Sequence, residues 1–257
     1  MFFAKAGEYP PCGLFSVGHI LAVLVLLIAV CIALFFCRNL KRETIKKIIA
    51  ISAIVFIVLE IAKIIYRILT VGVNQINNWV PLYYCSIMIY ASVLAGFFKG
   101  KLENVGLSFL TTGGIVGGLC FLIMPTTSLP EFPLFHFLSF HSLIYHAYFL
   151  FLGFLIIINN YFIPKFSHFG YYLALTGSVT IIAYIVNKIW HGNLMFLEYP
   201  FKLKVLEVIN DFSHILYEII FIFVQVIAPF IIMVLLVKLF EKLHNKKLNS
   251  GTQKIEK

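Results

Sequence analysis

The chain has 257 residues, 61% hydrophobic and 12% charged, with a formal net charge of +9. Soluble domains average about 25% charged residues, so a water-soluble fold would have too little polar surface to cover this apolar content, and the solvent must be a bilayer. A spanning helix needs roughly 20 apolar residues; about seven such runs predict an all-α, polytopic membrane protein, one transmembrane unit over 1–257 with a polar tail at 238–257.

Residues 1–13 form a short polar lead containing Pro10 and Pro11. The run Leu14–Phe36 is too long for a signal-peptide core and lacks a small-residue cleavage site, so it reads as a retained first span. A basic loop with Arg38, Lys41, Arg42, Lys46 and Lys47 follows, and the second span, Ile48–Thr70, carries Glu60, Lys63 and Arg67. Asn74–Asn78 turns the chain into a third span at about Val80–Phe98. There Pro81 suits a first helical turn, where its missing N–H needs no partner, and Cys85 sits one turn inside. The fourth span covers about Asn104–Met124, the fifth about Leu134–Ile158 and the sixth about Phe169–Ile189. Segment Trp190–Phe212 holds Lys202, Lys204, Glu207 and Asp211, too many charges for a span, and reads as an interfacial cap on the outer surface. The seventh span is about Ser213–Val237. No internal repeat or interrupted helix is visible.

The positive charge does not point to nucleic acid, because most lysines flank apolar runs, where they orient helices and meet anionic headgroups. With seven spans, one side receives 14 Lys/Arg and the other four: Lys5, Lys188, Lys202 and Lys204. The positive-inside rule then predicts an outer N-terminus and a cytoplasmic C-terminus in the cell membrane. At 1.5 Å per residue Cys85 lies about 8 Å below the outer surface, and the buried polar groups gather in that outer half.

Glu60, Lys63 and Arg67 are spaced by three and four, so they share a helix face. Either Glu60 and Lys63 neutralise each other while Arg67 reaches the interface, or Arg67 and Lys63 anchor a phosphate or carboxylate headgroup. His136, His141 and His146 lie on the fifth span, but a gap of five turns His141 and His146 about 140° apart. His214 and Glu218 share a face that Gln225 continues. With a fifth-span histidine they could hold a metal, or Glu218 could orient His214; no metal and no cofactor is expected. The glycines of Thr111–Gly118 form small-xxx-small pairs that let helices approach closely. The five cysteines, 12, 31, 37, 85 and 120, show no ligand-like spacing. Cys85 reads as a small apolar side chain, as half of a disulfide with Cys120, or as a thiol nucleophile activated by a fifth-span histidine.

Arg67, Pro81-Leu82-x-x-Cys85, the later histidines and Asn193-x-Met195-Phe196-Leu197-x-x-Pro200 together resemble the YwaF-like integral membrane proteins. Those proteins resemble the vertebrate transmembrane acyltransferase of ether-phospholipid remodelling. Tyr83, Leu194 and Tyr199 stand where many members carry histidine, tyrosine and lysine. The resemblance implies cysteine-dependent acyl transfer on lipids, with Cys85 as nucleophile.

Two functions remain open. One is a lipid acyltransferase in which Cys85 attacks and His146 or His141 is the base. The other is a carrier or binding protein for a small solute or lipid. Both use an outward pocket between the second, third, fifth and seventh spans, with Arg67, Lys63, Glu60, Tyr83, Asn193, His214 and Glu218 contacting the ligand. A retinal-type receptor is excluded, because the seventh span has no lysine before Lys238.

Overall fold

The computed structural model describes residues 1–201 and 203–255; Lys202, counted above on the outer side, lies outside them. Among the described residues every regular element is helical. The α-helices are α1 (Val17–Phe36), α2 (Arg42–Val71), α3 (Ile87–Phe97), α4 (Lys101–Leu110), α5 (Gly113–Ile123), α6 (Phe137–Ile158), α7 (Phe169–Trp190), α8 (Lys204–Phe212), α9 (His214–Ile222) and α10 (Ala228–Ile255). Among the described residues six stretches are long and apolar enough to cross a membrane: α1, α2, α4–α5, α6, Phe166–Trp190 and His214–Leu243; Tyr84–Phe97 is a shorter apolar seventh. The polytopic helical bundle expected from hydropathy is therefore the observed one.

Local chemistry sets the helix ends. Ser16 caps α1, its hydroxyl accepting from His19 N–H at 3.2 Å, which satisfies one of the orphan donors of a first turn. His136 does the same for α6, its Nδ1 accepting from Leu138 N–H at 3.2 Å. Gly72 ends α2 at φ 95°, a conformation that favours a residue without Cβ.

Contacts at the two ends of the bundle pair the loops as seven spans require. At one end Tyr66 donates to Ala4 O at 2.7 Å and contacts His136 Nε2 at 3.0 Å, while Cys12 N–H donates to Phe132 O. The polar lead is thus tied to the α2 terminus and the loop before α6. At the other end Lys46 pairs with Glu103 at 3.0 Å, Tyr161 donates to Glu103 at 2.6 Å and Asn159 holds the α1–α2 turn through Cys37 O and Leu40 N–H.

Glycine allows close packing where the small-xxx-small reading expected it. A Cβ at Gly118 would lie 2.8 Å from His146 O, and one at Gly114 would lie 2.8 Å from Met88 Sδ. Two expected spans differ in detail. The fourth is broken between α4 and α5 at Thr111–Thr112, where both hydroxyls donate to the carbonyls four residues back. Such back-bonding competes with the helix ladder. Helix also starts later than expected in the third span: Val80–Tyr83 is not helical, Tyr90 O–H donates to Pro81 O at 2.8 Å, and a 3-10 turn, Tyr84–Ser86, leads into α3. Pro81 therefore precedes the helix, and Cys85 lies in its first turn rather than one turn inside.

Candidate functional site

Cys85, half-buried, sits where the 3-10 turn meets α3, among the unpaired N–H groups and positive dipole of a helix start. Its neighbour Ser86 is fully buried and reaches Glu60 Oε1 of α2 at 3.5 Å. Glu60, 4% exposed, accepts from Lys63 Nζ at 2.7 Å. The ion pair is internal to α2, as one of the two sequence readings had it, and Lys63 is spent on it. Arg67 has no carboxylate partner among the described residues; its guanidinium lies over Phe132 at 5.8 Å.

The α6 histidines face different helices, as their spacing required. His141 Nε2–H donates to Leu59 O on α2 at 3.1 Å, so its Nδ1 is a bare acceptor, and that atom is buried without a partner. Tyr145, one turn on, stacks beside His141 with centroids 5.4 Å apart; its hydroxyl is also buried and unpartnered. His146 looks the other way. Its ring stacks on Phe121 of α5 at 3.7 Å, and its Nδ1–H donates to Ser142 O at 2.7 Å. The Leu59–Glu60 step of α2 therefore joins the turn holding Cys85 to His141, with no such link to His146. Tyr145 follows His141 by four and so shares its face by spacing alone, whereas nothing in the sequence marks Ser86.

The other predicted residues divide in two. Asn193 is a buried loop organiser: its amide donates to Tyr199 O, and its Oδ1 accepts from Glu198 and Tyr199 N–H. Asn187 holds Leu194 at both backbone groups. Leu194, Met195 and Leu197 are fully buried, and their carbonyl edge is held from the last span by Tyr217 O–H to Phe196 O and Gln225 Nε2 to Met195 O. Segment 190–212 is therefore only partly superficial: Gly192–Leu197 plugs the bundle, while Trp190, His191 and Tyr199 are exposed and α8 has no buried residue. Tyr83 packs on this plug through Phe196, centroids 5.8 Å apart. His214 and Glu218 meet at 3.3 Å, but their third partner is Glu198 rather than a fifth-span histidine. An open cleft of about 370 Å³ lies beside them, lined by Asn187, Lys188, His191, Gly192, Glu198 and Tyr199. All five cysteines are free, so the expected alternative of a Cys85–Cys120 disulfide is not met.

The sequence model of the TMEM164 family matches residues 14–237. The chain belongs to the TMEM164 family. The match runs from the start of α1 into α10 and so takes in Cys85, both α6 histidines and the plug. It carries the resemblance read from the motifs as far as this membrane family, but not to the YwaF-like label. No curated protein and no solved structure matches the TMEM164-family chain described here.

Proposed function

We propose that this TMEM164-family protein transfers acyl groups between membrane lipids through a thioester on Cys85, acting as one unit over residues 1–257 in the cell membrane. The observation that carries the reading is the pair of buried, unpartnered polar atoms, His141 Nδ1 and Tyr145 Oη, on stacked rings of which His141 is linked through α2 to the turn that holds Cys85. Buried polar groups without partners cost about 1–3 kcal/mol each; a thiol proton would satisfy the His141 Nδ1 acceptor, and a reacting carbonyl would accept from the Tyr145 hydroxyl.

In the proposed step the Cys85 thiol gives its proton to His141 Nδ1 as sulfur attacks the ester carbonyl of a phospholipid. The oxyanion takes hydrogen bonds from Tyr145 and from the N–H groups at the start of the third span. The C–O bond then breaks, and the leaving alkoxide takes the proton back to depart as a lysolipid hydroxyl. A second lysolipid hydroxyl gives its proton to His141 and attacks the thioester, and sulfur leaves and is reprotonated. Arg67 holds the phosphate; His146, with Nε2 free of protein partners, is the other candidate base. Glu60 and Lys63 support the site from α2, and Tyr83 and Asn193 shape its plug.

The break at Thr111–Thr112 supports the second reading, a lipid or solute carrier, because interrupted spans line carrier sites. Incubating the purified protein with a labelled phospholipid separates the two. A hydroxylamine-sensitive acyl adduct on Cys85, with turnover lost in C85S and H141N, supports the transferase. Full turnover in C85S would overturn it.

A further inference from the structure

We propose that Glu198, His214 and Glu218 form a divalent-cation site of the zinc class at the end of the bundle that carries the N-terminus. One ligand atom from each of the three lies within 4.8 Å of the others. Glu198 comes from the chain that leaves the buried plug, and His214 and Glu218 from one face of α9. Two observations point to a bound cation beyond the clustering itself.

The first is the state of the carboxylates. Glu198 Oε1 and Glu218 Oε1 are both shielded from solvent and accept no hydrogen bond. Lys188 binds Glu198 through Oε2 at 2.9 Å and stands 3.8 Å from Glu218. One ammonium therefore faces two carboxylates, and neither Oε1 accepts a hydrogen bond from it.

The second is the orientation of the imidazole. Asn210 Oδ1 on α8 lies 3.0 Å from His214 Nδ1 and can only accept there, so Nδ1 carries the proton. That leaves Nε2 as the free ligand nitrogen, 3.3 Å from the Glu218 carboxylate but off the line a hydrogen bond would need. A proton on Nε2 would not reach that oxygen in line, whereas a cation held between the two atoms would bond both. Zinc bonds of about 2.0–2.2 Å in a tetrahedron set ligand atoms roughly 3.3–3.5 Å apart. A second-shell acceptor that fixes the tautomer is the usual companion of a metal-ligating histidine.

The adjoining cleft of about 370 Å³ opens on Lys188 and Glu198 and gives the ion a path in. Lys188 is 46% exposed, so its ammonium can swing into water as the cation takes its place. Protein supplies three ligands, and a water would complete the shell. The site is separate from Cys85 and His141 and does not depend on the acyl-transfer reading. It would clamp α9 to the plug, and through Asn210 to α8.

Calorimetric titration of Zn²⁺ into chelator-stripped full-length protein tests this. One saturable site is expected in the wild type and in H191A, whose side chain lines the cleft but is not a ligand. H214A and E218Q should lose it, N210A should bind about 10–100-fold more weakly, and K188M should bind more tightly because its competitor is gone. His214 is 43% exposed, so H214A should still fold, and a matching circular-dichroism melt checks that. Absence of a saturable site in the wild type, or undiminished binding in folded H214A, would overturn the proposal.

Discussion

Replacing Glu60 by alanine tests how the α2 charges are held. Glu60 keeps 6% of its side-chain surface exposed and Lys63 keeps 23%, with 2.7 Å between Nζ and Oε1. Removing one partner of a buried pair costs about 3–5 kcal/mol, because the other charge stays without compensation. The residual exposure of Lys63 lets its ammonium find some water, so the low end, about 3 kcal/mol, is expected. At roughly 2–4 °C per kcal/mol for a chain this size, Tm should fall by about 6–12 °C. The double variant E60L/K63M removes both charges while keeping volume and should melt within about 1 kcal/mol of wild type, as apolar replacements of buried pairs often do. The assay is thermal unfolding in detergent followed by intrinsic fluorescence. A double variant as unstable as E60A, or an E60A protein that melts like wild type, would refute the reasoning.

Three further predictions follow from local geometry. A Cβ at Gly96 would meet the Ala50 backbone at 2.6 and 2.8 Å, whereas one at Gly117 meets only the Tyr84 ring at 2.8 Å. G96A should therefore cost about 1–3 kcal/mol and more than G117A in the same melts. Burial lowers the pKa of His136 from its ordinary 6.5, and its Nδ1 is the acceptor that caps α6, so protonation there breaks the cap. With the folded pKa depressed, its stabilisation is complete above about pH 6.5 and is lost as pH falls through the folded value; H136N should flatten that part of a Tm-against-pH curve. In intact cells an impermeant thiol label should reach a cysteine at Asn77 but not one at Asn245, following the Lys/Arg asymmetry, and labelling at 245 would reverse the topology.

Much of the bundle could be read from hydropathy because lipid imposes one rule, that backbone groups bond within a helix. The opposed faces of His141 and His146 followed from helical spacing alone. The exceptions arise where long-range partners replace the ladder. Pro81 fits a helix start and an extended lead equally well, and only Tyr90, nine residues on, decides between them. The plug at Leu194–Leu197 can be buried because Asn187, Asn193, Asn77, Tyr217 and Gln225 take up the polar groups of its flanks and turns. No local pattern announces that set. Glu198 was missed for the same reason: nothing near it in sequence marks it as a neighbour of His214.

The late start of the third span has a geometric consequence. Tyr84–Phe97, one 3-10 turn and eleven α-helical residues, is about 22 Å long, whereas the hydrocarbon layer is about 30 Å thick. About 8 Å of depth is left to the non-helical Val80–Tyr83 strip, which packs on the core and crosses that depth without the internal bonds of a helix. On the acyl-transfer reading, the strip would work as a depth gauge. It would present whichever bond of the lipid lies a fixed distance beneath the phosphate, so chain position, rather than acyl identity, would decide what meets the sulfur.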